Sequence, residues 1–373
     1  MSKGEKIRYG IIGAGSMAKG HIESLFEIPE AEITAVADPY KPSLDSKKKL
    51  IGERYKTRFL DNYEDLLNIS EIDAVVVAVP NYLHANVTIN ALKAGKHVLC
   101  EKPMATTVAD CDRMIKVAKK SGKVLQIGLE YRSSSLYNKI SRMITSGRIG
   151  DIKMMWCKEF RDPFAKKVDD WIIMEKHSGG SLVEKDCHHF DIFNWFINSR
   201  PKRVVAFGGK DAVYRNGGDN FLMREQGFWA ERKASDAKPD VIDNAWVTVE
   251  YTSGAKAMLG LCFFFPFSHE LEIGGIGDKG AIISSDAGKS NEVKHYKLSK
   301  DKRHRKRTFS VDINKAKGKL SHGGNVYLEH LNFIKSIKSG IPPVADGEIG
   351  KWSVIVPLAA ERSIKEERII NIN

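Results

Sequence analysis

Three groups of residues in this sequence have types and spacing suited to chemistry. The first is Gly13-Ala14-Gly15-Ser16-Met17-Ala18, a G-x-G-x-x-G/A pattern directly after the apolar run Ile7–Ile12. Gly13 permits a tight turn, Gly15 lets the backbone approach a pyrophosphate, and Ala18 keeps the next helix close to its strand. Ser16 and Met17 open that helix, whose unpaired N–H groups and positive dipole end suit phosphates. Asp38 ends the following strand, near the ~20-residue spacing expected of a carboxylate that accepts from both ribose hydroxyls. Such a carboxylate repels a 2′-phosphate, so NAD is favoured over NADP, with Lys41 nearby softening the preference. The second group is Lys102, just beyond a strand's carboxyl end, where ligands bind in open α/β sheets. The third is Glu184, His188 and Asp191, whose i, i+4, i+7 spacing puts them on one face of a helix.

The elements that must position these groups follow from hydrophobic periodicity. Ile7–Ile12, Ile33–Ala37, Ala74–Val79, His97–Cys100 and Val124–Ile127 read as strands. They alternate with helical patterns at 16–26, 83–92 and 108–118, the last carrying Val108, Cys111, Met114, Ile115 and Ala118 as an amphipathic stripe. Strand–helix alternation implies a parallel sheet with helices on both faces, an α/β dinucleotide-binding domain over residues 1–128. Beyond it the rhythm changes. A helix at 134–145, a strand at 152–159, a long irregular stretch, and a helix at 181–196 precede successive strands at 245–251, 255–265 and 270–274. Residues 129–373 are therefore expected as an α+β domain with a large, mostly antiparallel open sheet. Residues 208–240 read as an extended loop, and the last helix is expected to return toward the first domain. The apolar alternation around 259–265 suggests a second buried sheet face and hence a homo-oligomer, dimer or tetramer.

Composition narrows the class. Of 373 residues, 42% are hydrophobic and 28% charged, as in soluble globular chains. No run approaches the ~20 apolar residues of a membrane helix, and the N-terminal run is too short for a signal-peptide core, so a cytoplasmic protein is expected. The five cysteines are scattered without metal or redox spacing, so no metal site is expected. The net charge of +12 is concentrated, with eleven Lys or Arg against two Asp between residues 294 and 319. That cluster reads as a hairpin tip or a charged strand edge rather than a nucleic-acid surface.

With Val79-Pro80-Asn81, Cys100-Glu101-Lys102-Pro103 and Gly179-Gly180-Ser181-Leu182 opening the helix of Glu184 and His188, the chain resembles the Gfo/Idh/MocA oxidoreductases. The resemblance implies that Lys102 points at the nicotinamide and the reacting hydroxyl, often beside a cis peptide before Pro103. It implies that His188 is the acid/base partner and that the first carboxylate of its helix binds substrate hydroxyls. Here Glu184 stands where relatives carry Asp, and Asp186 where they carry Gly. By register His188, not His189, takes the catalytic place. Pro80, Asn81, His84 and Glu101 join the expected cofactor contacts, with helix capping by Asn81 and a surface His84 as the alternative. Glu130, Arg132, Arg161, Trp171, Asp186 and His189 are candidates for the substrate side. The implied reaction is hydride transfer between NAD and a secondary hydroxyl of a sugar, cyclitol or glycoside. An NAD-retaining glycosidase of the same family and a non-catalytic NAD- or sugar-sensing protein are the alternatives.

Overall fold

The computed structural model of the chain describes residues 6–163, 168–214, 238–265, 269–285, 291–298, 300, 305–311 and 320–372. It divides into two compact units, one of residues 1–134 and 313–351, the other of residues 135–312 and 352–373.

The first unit is a six-stranded parallel sheet in the order β3-β2-β1-β4-β5-β6. Its strands are β1 (Ile7–Ile12), β2 (Ala31–Ala37), β3 (Arg58–Leu60), β4 (Ala74–Val77), β5 (His97–Glu101) and β6 (Leu125–Gly128). The sequence direction reverses between β1 and β4, which opens the crevice where such sheets take ligands. Helices α1 (Ser16–Phe26), α2 (Lys41–Ile51), α3 (Tyr63–Leu67), α4 (His84–Lys93) and α5 (Val108–Ser121) connect the strands. α5 shows why such segments are helical. Thr107 caps it by accepting the Asp110 N–H at 3.1 Å, Gly122 ends it in the left-handed region at φ 65°, and its stripe buries Cys111, Met114 and Ile115. Met114 and Ile115 each contribute roughly 1.5–3 kcal/mol by leaving water.

Two features depart from the sequence expectation. The elements α2, β3 and α3 were not legible: of eleven residues α2 buries only Leu44, Lys47 and Ile51, and β3 is three residues long. The compact units also do not divide at 128/129. The first unit runs to Ser134 and recruits α9 (Asn325–Ser339) together with the start of α10 (Gly347–Glu366). α9 does so because Phe333 and Ile334 complete the core formed by Ile7, Tyr9 and Ile11 of β1 with Ala18, Ile22 and Leu25 of α1.

The second unit holds a nine-stranded sheet in the order β14-β13-β12-β11-β7-β10-β9-β8-β15. Its strands are β7 (Ile152–Phe160), β8 (Pro201–Gly209), β9 (Asn244–Tyr251), β10 (Lys256–Cys262), β11 (Glu270–Gly277), β12 (Gly280–Ser285), β13 (Glu292–Lys297), β14 (Lys306–Ser310) and β15 (Ile370–Asn371). Only the β7–β10 pair is parallel among the pairings described. The helices are α6 (Ser135–Thr145), α7 (Glu175–Ser178), α8 (Ser181–Ile197) and the rest of α10. Gly208, expected to open a loop, instead lies within β8, which runs to Gly209, while 215–237 lie outside the described residues. Of the basic cluster, Lys302, Arg303 and His304 lie outside the described residues, whereas Lys306 and Arg307 are exposed on the edge strand β14.

One face of this sheet is tiled with apolar side chains. Trp246 on β9 lies over Gly260 of β10, where an added Cβ would come within 2.5 Å of the indole, and Trp156 on β7 lies in the same way over Gly274 of β11. Phe207, Trp246, Met154 and Met258 on that face are respectively 76%, 53%, 57% and 44% exposed.

Candidate active site

In the first unit the fingerprint loop leaves β1 at Gly13, whose φ of 91° suits glycine and whose N–H donates to the Ala37 carbonyl at 2.8 Å. A side chain there would strike the Ala78 carbonyl at the end of β4. Gly15 faces open space and caps the eleven-residue α1 without any side-chain hydrogen bond. Open room at an uncapped helix amino end fits a pyrophosphate. Asp38 is held at this mouth, its Oδ2 accepting the Ala14 N–H at 2.6 Å and its Oδ1 accepting the Tyr40 N–H at 2.7 Å. Lys41 is turned to Asp45, 3.4 Å away.

Lys102 follows the carboxyl end of β5, partly buried, and its bond to Pro103 is cis. Glu101 turns inward. His21 Nε2 lies 2.8 Å from its Oε1, and the Lys102 N–H donates to its Oε2 at 3.2 Å. Burial alone would raise the Glu101 carboxyl, but the hydrogen bond and charge of His21, with the Lys102 ammonium, hold it below the usual carboxylate range. Its carboxylate is thus engaged within the unit rather than displayed for a cofactor. His84 is likewise buried, not on the surface. Its Nδ1 lies 2.7 Å from the Pro103 carbonyl and its Nε2 3.0 Å from that of Val79, so the ring braces the segments after β5 and β4. Burial lowers its pKa against the pull of these carbonyls. Pro80 and Asn81 form the turn that leads into α4. Glu130 and Arg132 lie in the short helical turn after β6; burial pushes the Glu130 carboxyl up, and His322 sits 4.0 Å from it.

In the second unit Gly179 and Gly180, with φ of 87° and 97°, turn the chain into α8. A Cβ at Gly180 would collide with the Glu361 carboxyl, which accepts the Leu182 N–H at 3.0 Å and so caps the helix. Burial raises Glu361 to about 7. Glu184, His188 and Asp191 share one helix face as the spacing required, each less than a tenth exposed. Asp186 and His189 belong to a different group. His189 Nδ1 lies 2.9 Å from Asp186 Oδ1 and its Nε2 3.5 Å from Glu159 of β7. Glu159 also lies 3.0 Å from Lys185 Nζ and 2.9 Å from His269 Nε2. Both Asp186 and His189 are fully buried in this cluster, which suits holding α8 to the sheet better than touching a substrate. Burial alone would raise Glu159, yet Lys185, His269 and His189 keep it far below the usual range. Burial would lower His189, but Cys157, the Asp186 hydrogen bond and Glu159 lift it to about 10. Arg161 and Trp171 are half-buried after β7 and in the turn at Val168–Ile173, the arginine Nε donating to the Asp162 carbonyl at 3.1 Å.

The structure thus joins Gly13, Gly15, Asp38 and Lys102 in one unit and Glu184 with His188 in the other. The sequence reading did not single out His21, Glu159, Lys185 or His269. The alternation Met155, Cys157, Glu159 puts this carboxylate on one strand face with two apolar residues, but Met154 and Trp156 make the other face look equally apolar, so the pattern alone did not mark it as buried.

Fold and fingerprint together define an oxidoreductase with an NAD-binding Rossmann fold. Residues 7–129 match the NAD-binding Rossmann portion, and residues 141–372 the C-terminal alpha/beta domain, of one oxidoreductase family. The chain belongs to that family, Gfo/Idh/MocA. It is 28% identical over 367 residues to a myo-inositol 2-dehydrogenase of Thermotoga maritima, covering 98% of each chain. It is 26% identical over 394 residues to a 2,7-anhydro-N-acetylneuraminate hydratase of Escherichia coli, covering 98% of this chain and 97% of that protein. A levoglucosan dehydrogenase solved with NADH and levoglucosan shares the fold at a TM-score of 0.83 and 19% identity, over 99% of this chain and 100% of that one. Among the described residues no helix is long and apolar enough to cross a membrane.

Proposed function

We propose that the protein transfers a hydride between NAD and a secondary hydroxyl of a sugar, cyclitol or glycoside. The observation that carries the reading is Lys102 at the carboxyl end of β5, in the same unit as the fingerprint loop and Asp38. Residues 13–18 hold the pyrophosphate and Asp38 the adenosine ribose, with Pro80 and Asn81 beside them. Bound NAD supplies the hydride acceptor. Lys102 holds the reacting oxygen, His188 takes the hydroxyl proton, and Glu184 orients neighbouring hydroxyls. Glu130, Arg132, Arg161 and Trp171 complete the substrate contacts. The five cysteines are all free thiols, which fits a reducing, cytoplasmic setting. The test is to follow NADH absorbance with the native enzyme against cyclitols, aldoses and glycosides, after assaying nucleotide released by denaturation. Absence of NADH formation with every class would overturn the reading.

The relationship to a hydratase supports a second reading, in which NAD is retained and the reaction has no net oxidation. Product formed without bulk NADH, on stoichiometric bound NAD, would select it.

Because Asp38 is fixed by two backbone N–H groups at the mouth of the loop, Asp38→Ser is expected to cut the preference for NAD over NADP by roughly tenfold or more, since a tenfold ratio is only about 1.4 kcal/mol. Fluorescence titration with both reduced cofactors measures it. The tiled sheet face is assigned to a second copy of the chain, as homo-oligomerisation requires a large apolar patch. Trp246→Glu with Met258→Glu should give the monomer mass in light scattering where the native chain gives a dimer or tetramer.

A further inference from the structure

Three carboxyl groups are buried near the end of β5: Glu101 on that strand, Glu130 after β6, and Glu329 on α9. Burial pushes the Glu130 carboxyl up, against the pull of His322, and holds Glu329 well above the ordinary range. Glu101 alone is held below that range, although it too is fully enclosed and Gly128 leaves it no slack, a Cβ there falling 3.3 Å from its carboxyl carbon. The difference is a histidine chain. His21 of α1 lies 2.8 Å from Glu101 Oε1 through Nε2, and its Nδ1 lies 3.0 Å from Nε2 of His330 on α9. His330 packs edge-on against Tyr9, is fully buried and is kept neutral by burial and by its neighbour His21. Among the described residues its Nδ1 has no hydrogen-bond partner, so the ring's polar contact is the one to His21.

We propose that His21 and His330 are positioning residues for Lys102: by holding the Glu101 carboxylate against the Lys102 backbone N–H, they set how firmly the lysine ε-amine keeps its proton. This rests on the hydride-transfer reading for its consequence in catalysis, though not for its electrostatics. The other charged or titratable groups facing Glu101 are Lys102 itself, His322 ahead of α9, Glu130, Glu329 and His84 of α4. None of them donates a hydrogen bond to Glu101 in place of His21 except the Lys102 backbone N–H. Without the imidazole, the buried carboxylate takes up a proton, and Lys102 loses an adjacent negative charge. Its ammonium then gives up its proton at lower pH.

The test uses the full-length protein with its lysines ¹³C-dimethylated, the Lys102 signal being identified by its loss in Lys102→Arg. NMR titration of His21→Leu should place the Lys102 midpoint below the native value, by about one pH unit, the low end of what a neighbouring opposite charge contributes. His21→Gln, which keeps a donor, should restore most of it, and His330→Phe should move it in the same direction by less. A Lys102 midpoint unchanged in His21→Leu and His330→Phe, or in His330→Phe alone should His21→Leu not fold, overturns the inference. The hydride-transfer reading fails separately, if Lys102→Ala turns over substrate normally. With that reading intact, the Lys102-dependent limb of the kcat/KM pH profile should follow the NMR midpoint in each variant.

Discussion

Lys102→Ala is expected to lower kcat/KM for hydride transfer by roughly 10²–10⁴, the range for losing a positioned proton-handling group. The loss should appear in kcat, because the proposed cofactor contacts at Gly13, Gly15 and Asp38 lie on other strands and loops and are left untouched. NAD affinity, read by fluorescence quenching, should stay within about twofold of native. Lys102→Arg is not a rescue. A guanidinium remains protonated throughout the working pH range and so holds an oxygen without exchanging a proton. Normal turnover by the alanine variant would remove Lys102 from the chemistry, and NAD-dependent alcohol oxidation by this site with it.

The second large effect concerns stability. Glu159 is the shared counter-ion of Lys185 and His189 in a fully buried place, with His269 also on its carboxylate. Glu159→Gln keeps the shape and deletes the charge, leaving Lys185 without its carboxylate and His189 with Asp186 as its remaining one, a loss of the ~3–5 kcal/mol that breaking a buried pair costs. Urea unfolding should show it as a lowered midpoint at unchanged slope; a native midpoint would mean that the cluster contributes nothing. The pH dependence has a definite sign. His189 is raised from an ordinary 6.5 to about 10, so the stability it contributes is complete below pH 6.5 and lost as pH rises through about 10. Glu159 is depressed, so its contribution is present above the ordinary carboxylate range and lost only in acid. Native protein should therefore lose urea resistance between pH 6.5 and 10, and Glu159→Gln should lose less over the same interval, because part of what raises His189 has gone.

What the sequence revealed depended on how strictly physics constrains each position. The fingerprint was legible because Gly13 sits at positive φ against the Ala78 carbonyl and because a strand-to-helix turn admits few alternatives. The row of Glu184, His188 and Asp191 followed from helical periodicity alone, and the glycines at 179 and 180 marked its start. Glu159 escaped because both faces of β7 carry apolar residues: Met154 and Trp156 face outward as Met155 and Cys157 face inward, so composition does not say which side is buried. Asp186 and His189 look like extra site residues in a linear reading, while the helix turns them toward Glu159. The role of α9 in the first unit escaped for a different reason. An amphipathic helix shows that it needs an apolar surface, and says nothing about which one.

That last feature bears on how the protein is made. The core around β1 and α1 is completed by Phe333 and Ile334, about 200 residues after the last strand of the same sheet. At 5–20 residues per second, a ribosome reaches α9 roughly 10–40 s after finishing β6. Throughout that interval the nascent sheet presents an uncovered apolar flank, a place for a chaperone to bind. A message truncated before α9 yields an aggregation-prone fragment rather than a free-standing nucleotide-binding domain.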